Sequence, residues 1–237
     1  MGSKARFAKE LLPIILKNRK PNQWYVEPFA GGMNMISEVT GNRIASDSHF
    51  YLIEMWKELI NGWVPQEFTK EQYYEIKAEK DKYPPAVVGW VGFNVSYAGK
   101  WFDAYAGTVF TKYGTQRNYQ AEAIRNCVKQ VNKLLGITLF NKSYLDLEVP
   151  PNSIIYCDPP YAGTRKYLDT INHEQFWDWV RQMTEKGHQV FVSEYSAPED
   201  FEVVWEKKVV SSISARSGKQ EATVSTEKLF TIKGENK

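Results

Sequence analysis

The stretch Ser153-Ile154-Ile155-Tyr156-Cys157-Asp158-Pro159-Pro160-Tyr161 decides the fold. Its first half is short, apolar and β-branched, and Pro150, Pro151 and Asn152 bound it upstream, the pattern of a buried strand. The two prolines end that strand, because neither can donate a ladder hydrogen bond and each fixes its own φ. The carbonyls around Asp158 and Pro159 are left facing outward at the carboxyl end of the strand, where ligands bind in open α/β sheets. A carboxylate, a free carbonyl and an aromatic ring are thus presented together. Such a set suits a flat heterocycle with an exocyclic amino group: Asp158 and the Pro159 carbonyl accept its two N–H bonds, and Tyr161 stacks on the ring. The competing reading is an ordinary Asp-Pro-Pro turn, since both residue types are common turn formers.

Working outward, a first strand over Trp24 to Val26 delivers Glu27, Pro28, Phe29, Ala30, Gly31 and Gly32, after which Met33, Met35 and Ile36 open a helix. A glycine pair at a strand-to-helix turn lets backbone approach a ligand closely, although such a turn is common and this one lacks the full G-x-G-x-x-G spacing. A second strand, Arg43 to Ser46, ends in Asp47, sixteen residues after Gly31. A carboxylate there is placed to accept hydrogen bonds from ribose hydroxyls, so an adenosine-bearing cofactor is implied. Before the first strand, Phe7, Ala8, Leu11, Leu12 and Ile15 predict a helix interrupted at Pro13.

The 237 residues, 43% of them apolar, are enough for one α/β core with a modest insertion. Thirty basic against 28 acidic side chains leave a net charge of +2, so binding a polyanion needs a local basic surface. Cys127 lies in a helical pattern and Cys157 ends the buried strand, which predicts free thiols in a reducing compartment. No metal-ligand spacing is present, and His49, His173 and His188 read as surface or supporting residues. No apolar run approaches membrane length and no signal peptide opens the chain, so a cytoplasmic protein with no membrane partner is expected.

Between the two motifs, Leu52, Met55, Trp56, Leu59 and Ile60 predict a helix closing at Gly62, and Thr69 with Gln72 forms a capping box for a polar helix that cannot pass Pro84 and Pro85. From Gly89 to Tyr119 the chain reads as irregular, with Tyr97, Trp101, Phe102, Tyr105, Phe110, Tyr113 and Tyr119 interleaved with Lys100, Lys112 and Arg117. Rings, cations and glycines in alternation suit a nucleic-acid surface; a small satellite core under a long loop would have the same composition. A helix over Gln120 to Leu135, capped by Gly136, returns the chain to a strand at Ile137 to Phe140. Downstream, Asn172 caps a helix carrying Phe176, Trp179, Val180 and Met183, a strand follows at Val190 to Ser193, and two extended tail segments, Phe201 to Val210 and Thr223 to Ile232, flank a loop with Arg216 and Lys219.

Glu27-Pro28-Phe29-Ala30-Gly31-Gly32 followed at a distance by Asp158-Pro159-Pro160-Tyr161 resembles the DNA adenine methylase family, whose cofactor motif precedes the target-recognition region and the catalytic motif. The resemblance spans nearly the whole chain, including Gly2-Ser3-Lys4 and Phe191-Val192-Ser193-Glu194-Tyr195. It implies a class I, Rossmann-like α/β methyltransferase core over residues 1–60 and 137–237, using S-adenosyl-L-methionine, with residues 61–136 inserted as a mostly helical DNA-recognition lobe. By the same resemblance Glu27 to Gly32 wrap the methionine part of the cofactor, Asp47 holds its ribose, Lys4, Tyr144 and Asp158 lie near it, and Asp158, Pro159 and Tyr161 act on an adenine flipped out of double-stranded DNA. Lys100, Trp101, Lys112, Arg117, Arg216 and Lys219 are the expected DNA contacts. Two departures are visible: Met33 stands where members often carry a further glycine, and Ser143 where an acidic residue meets the cofactor's adenine. Weaker cofactor affinity, or Asp146 in a substitute role, follows from them. The same turn chemistry fits cytosine's amino group, an RNA substrate, or a relative that binds without turnover.

Overall fold

The computed structural model describes residues 4–110, 114–161, 171–210 and 224–234. In chain order its elements are α1 (Ala8–Ile15), β1 (Tyr25–Glu27), β2 (Arg43–Ser46), α2 (Phe50–Ile60), α3 (Lys70–Ala78), α4 (Pro85–Asn94), β3 (Thr108–Phe110) and β4 (Gln116–Asn118). They continue with α5 (Tyr119–Leu134), β5 (Thr138–Phe140), β6 (Ile154–Cys157), α6 (His173–Glu185), β7 (Gln189–Glu194), β8 (Phe201–Val210) and β9 (Val224–Ile232). The chain divides into two compact units, one of Met1–Ala5 with Ala30–Leu147, the other of Arg6–Phe29 with Glu148–Lys237. The α/β class expected from the sequence is observed, with mostly parallel strand pairings.

In the unit that contains the Asp-Pro-Pro-Tyr turn, the strands lie in the order β1-β6-β7-β9-β8. β1, β6 and β7 are parallel, with Tyr25 opposite Ile154 and Ile155 opposite Val190. All four residues of β6 are buried, which is why it reads as a continuous apolar run and not as an alternation. α6 buries Phe176, Trp177, Trp179, Val180 and Met183 and is capped by Asn172, whose side chain accepts from the Gln175 N–H. β9 is antiparallel to both β7 and β8, so the tail is the hairpin expected, bulged between Val203 and Trp205. α1 buries Ala8, Leu11, Leu12 and Ile15 despite Pro13, and Phe7 lies edge-on to Trp205 at 5.5 Å.

The other unit pairs β2 with β5 in parallel, Ile44 opposite Thr138, and holds helices α2 to α5. The capping box at Thr69 and Gln72 forms as expected. Two expectations are corrected. Residues 89–94, expected to be irregular, are helix: α4 starts with a proline at N1 and is apolar on all sides, burying Val88, Trp90, Val91 and Phe93, so it has no amphipathic period to read. Its glycines are contact points with a neighbouring helix and with aromatic rings, since a Cβ on Gly89 would stand 2.1 Å from the Tyr51 carbonyl oxygen and one on Gly92 would stand 2.2 Å from the Trp101 ring. The helix expected from Met33 shrinks to a 3-10 turn at Ile36–Glu38, because Met33 has φ +51 and cannot continue a right-handed helix. His188 is buried and accepts the Ser153 N–H on Nδ1, and His49 caps α2 by accepting from the Leu52 N–H, so both act as supporting residues.

Among the described residues no helix is long and apolar enough to cross a membrane, and no group of three or more His, Cys, Asp or Glu is gathered to hold a metal. Cys127 and Cys157 are both buried free thiols, as expected, and burial pushes each up from its ordinary pKa.

Candidate active site

The Asp-Pro-Pro-Tyr turn begins directly after Cys157, the last residue of β6. Asp158 and Tyr161 are half-buried and Pro159 is buried. The Tyr161 hydroxyl donates to Glu227 Oε2 at 2.9 Å, and its ring meets the Tyr195 ring edge-on with centroids 4.6 Å apart. Tyr161 is therefore held at both its hydroxyl and its ring. Burial, with the Asp158 charge next in size, pushes the Tyr161 phenol well above its ordinary pKa, so it stays neutral. The same two causes keep Tyr156 neutral, its hydroxyl bonded to Ser193 Oγ at 2.8 Å.

On β1, Glu27 is the strand's last residue and only 3% exposed, and its Oε1 accepts from the Tyr25 hydroxyl at 2.9 Å. The Glu27 and Asp158 charges both act on Tyr156 and Cys157, so the carboxyl ends of β1 and β6 carry two acidic groups bearing on the same buried pair. Pro28 is buried, and Phe29 packs edge-on against Phe176 at 5.7 Å.

In the other unit, the segment Ala30–Met33 wraps around the end of β2. The Ala30 N–H donates to the Ser46 carbonyl at 2.8 Å, and the Gly31 N–H donates to Asp47 Oδ2 at 3.0 Å. Asp47 Oδ1 accepts from the His49 N–H at 3.0 Å. Each carboxylate oxygen thus uses one lone pair on backbone and keeps one. Burial raises the Asp47 pKa against those two hydrogen bonds. A carboxylate locked by backbone, with acceptor capacity left over and set after the second strand, fits a ribose diol, and the residues present fit S-adenosyl-L-methionine. Gly31 has φ +45 and Met33 φ +51, and Trp56 Nε1 and Gln130 Nε2 donate to the carbonyls of Gly31 and Gly32. Tyr144 is buried, Ser143 half-buried and Asp146 exposed; Lys4 stands half-buried in a 3-10 turn, Lys4–Arg6.

The expected DNA contacts fare unevenly. Lys100 lies 3.7 Å from Asp103, and Trp101 is half-buried among His49, Tyr51, Phe93 and Phe102, with centroids 4.3 to 5.6 Å away. Trp101 therefore belongs to a satellite aromatic core. Arg117 stands on β4, one residue before Asn118 caps α5, and its guanidinium forks onto Glu122 with Nε and Nη2 both at 2.8 Å. Lys112, Arg216 and Lys219 lie outside the described residues. Glu227, Trp56 and Gln130 carried no signal in the sequence, because their partners are 66, 25 and 98 residues away.

The model of the D12 class N6 adenine-specific DNA methyltransferases matches residues 1–86 and 102–215. A type II methyltransferase of Methanocaldococcus jannaschii, M.MjaVI, is 39% identical over 65 residues, which are 25% of this chain and 34% of that enzyme, so the match spans about a third of the relative's length. Among solved structures, a tRNA (m1A58) methyltransferase, TrmI, of Aquifex aeolicus aligns over 98% of this chain and 69% of its own at 12% identity and a TM-score of 0.39. The Escherichia coli protein yhhF aligns over 95% of this chain and 85% of its own at 11% identity and a TM-score of 0.37. Both are too distant to bear on function. With the family model matched across most of its length, the chain belongs to the D12 class N6 adenine-specific DNA methyltransferases, an α/β family whose cofactor is S-adenosyl-L-methionine.

Proposed function

We propose that this protein methylates the exocyclic N6 of an adenine extruded from duplex DNA, with residues 61–136 acting as the recognition lobe. The observation that carries the reading is the half-buried Asp158 carboxylate at the end of the buried strand β6, followed by a proline whose nitrogen has no hydrogen to donate. Adenine's amino nitrogen is a poor nucleophile, because its lone pair is delocalised into the ring. Hydrogen bonds from its two protons to Asp158 and to the Pro159 carbonyl favour a pyramidal nitrogen with a localised lone pair.

S-adenosyl-L-methionine supplies an electrophilic methyl on a sulfonium, and Asp47 would hold its ribose while Glu27 to Gly32 hold its methionine part. As the amine gains positive charge, the nearby Asp158 carboxylate stabilises it and is positioned to take the proton it already accepts in a hydrogen bond. Direct attack needs no covalent intermediate. Tyr161, held neutral and oriented by Glu227 and Tyr195, presents its ring to the extruded base and offsets a few kcal/mol of lost stacking.

The experiment is methyl transfer from labelled S-adenosyl-L-methionine to unmethylated DNA, with the product digested to nucleosides. Label in N6-methyl-2′-deoxyadenosine is expected; label in N4-methyl-2′-deoxycytidine, or transfer only to RNA offered in a parallel assay, moves the substrate, and cofactor binding with no transfer leaves a binding protein.

A further inference from the structure

The carbonyl groups of the cofactor-side loop are held by side chains from two separate helices. Trp56 Nε1, from α2, donates to the Gly31 carbonyl at 3.0 Å. Gln130 Nε2, from α5, donates to the Gly32 carbonyl at 2.8 Å and to the Met33 carbonyl at 3.1 Å. The loop so held is in an unfavourable conformation. Met33 has φ +51 in the left-handed region, which an L side chain adopts only at a cost, and its side chain is fully buried. Gly31, at φ +45, adopts the same region without that penalty. α5 is itself fastened, because Arg43 on β2 donates to the Lys133 and Leu135 carbonyls at its end and to the Ile36 carbonyl just past the loop.

We infer that Gln130 is a positioning residue for cofactor binding: its amide bridges two successive carbonyls and holds Met33 in the left-handed conformation that keeps the Gly31–Met33 loop closed onto Asp47. The inference rests on the reading of that loop and Asp47 as the cofactor's seat. It gives Met33 a compensating partner in place of the glycine's conformational freedom.

The test measures S-adenosyl-L-methionine affinity by calorimetry, with kcat, DNA affinity and melting temperature, for the full chain and for Gln130→Leu, Met33→Gly and the double variant. Gln130→Leu keeps the side chain's size and removes the donor. It is expected to raise the cofactor Kd and KM about tenfold, the order of a lost hydrogen bond plus released loop strain, with kcat and DNA affinity within about twofold. Met33→Gly in the same background is expected to restore most of that affinity, since glycine takes the left-handed φ unaided. An unchanged cofactor Kd in Gln130→Leu overturns the inference, as does a loss shared equally by cofactor, DNA and melting temperature, or a double variant that keeps the single variant's melting temperature and binds the cofactor no better. Wild-type chain that binds no S-adenosyl-L-methionine removes the cofactor reading itself, and the clamp's role with it.

Discussion

Asp158 and Asp47 are both aspartates at strand ends, and their surroundings give them different work. Asp158 follows a fully buried strand, and its charge helps keep the neighbouring Tyr156 and Tyr161 phenols neutral. On the proposed role, in which the carboxylate serves the extruded base and not phosphate, Asp158→Ala is expected to lower kcat by roughly a thousandfold while leaving DNA affinity within about threefold; turnover within tenfold of wild type would remove it from that role. Asp47 is already bonded to two backbone N–H groups, and burial still holds its pKa above the ordinary value. Ribose hydroxyls need the ionised form as acceptor, so cofactor affinity should fall as pH drops from neutrality toward the ordinary carboxylate range. In the cofactor-free protein the sign reverses: a raised folded pKa stabilises the fold below the unfolded value and is lost as pH rises through the folded one. A calorimetric Kd series against pH checks this, with Asp47→Asn weaker by about 1.5 to 3 kcal/mol and flat across the range.

At the scale of elements, α4 and the start of β6 show how close packing replaces sequence pattern. Gly89 lets α4 touch α2, and a Cβ there meets Tyr51 backbone, which cannot swing aside. Gly89→Ala is therefore expected to lower stability by about 2 to 3 kcal/mol, read as a denaturation midpoint. Gly62, at φ +98 with nothing within 4 Å of an added Cβ, is strained by alanine but not crowded, and Gly62→Ala should lose only about 1 kcal/mol. At β6, the Ser153 N–H donates to His188 Nδ1, so the imidazole serves neutral, and burial first, Lys186 second, holds its pKa below the ordinary value. A base with a depressed folded pKa adds stability above its unfolded value, near 6.5, and loses it as pH falls through the folded one. Acid unfolding curves should show that loss in the wild type and a flatter profile in His188→Gln.

For the whole molecule, a net charge of +2 gives no general attraction to DNA, so affinity depends on which cations are free of their own carboxylates. Arg117 is fully engaged by Glu122, but the pair is exposed and solvent screens it, so DNA can compete for the fork. Glu122→Gln is expected to strengthen DNA binding several-fold at low salt, with the gain shrinking as salt rises. Arg117→Ala, tested at one salt concentration on a panel of single-base site variants, is expected to lose about 1 to 3 kcal/mol on the preferred site and relax the choice at one position; a uniform drop would make it a phosphate contact. The sequence by itself determined the features whose information is local. Pro159 and Pro160 had to end β6, Asp47 had to follow β2, Thr69 with Gln72 and Asn172 had to cap their helices, and the order of the two motifs carried the family. Only the tertiary structure decided that α4 is a helix, that Met33 turns left-handed, that Trp101 packs into a satellite core, and that Glu227, Trp56 and Gln130 hold the Tyr161 ring and the Gly31–Met33 loop. The reason is physical: a helix buried on every side has no period to betray it, and a hydrogen bond between residues 66 or 98 positions apart leaves no spacing in the chain to be read.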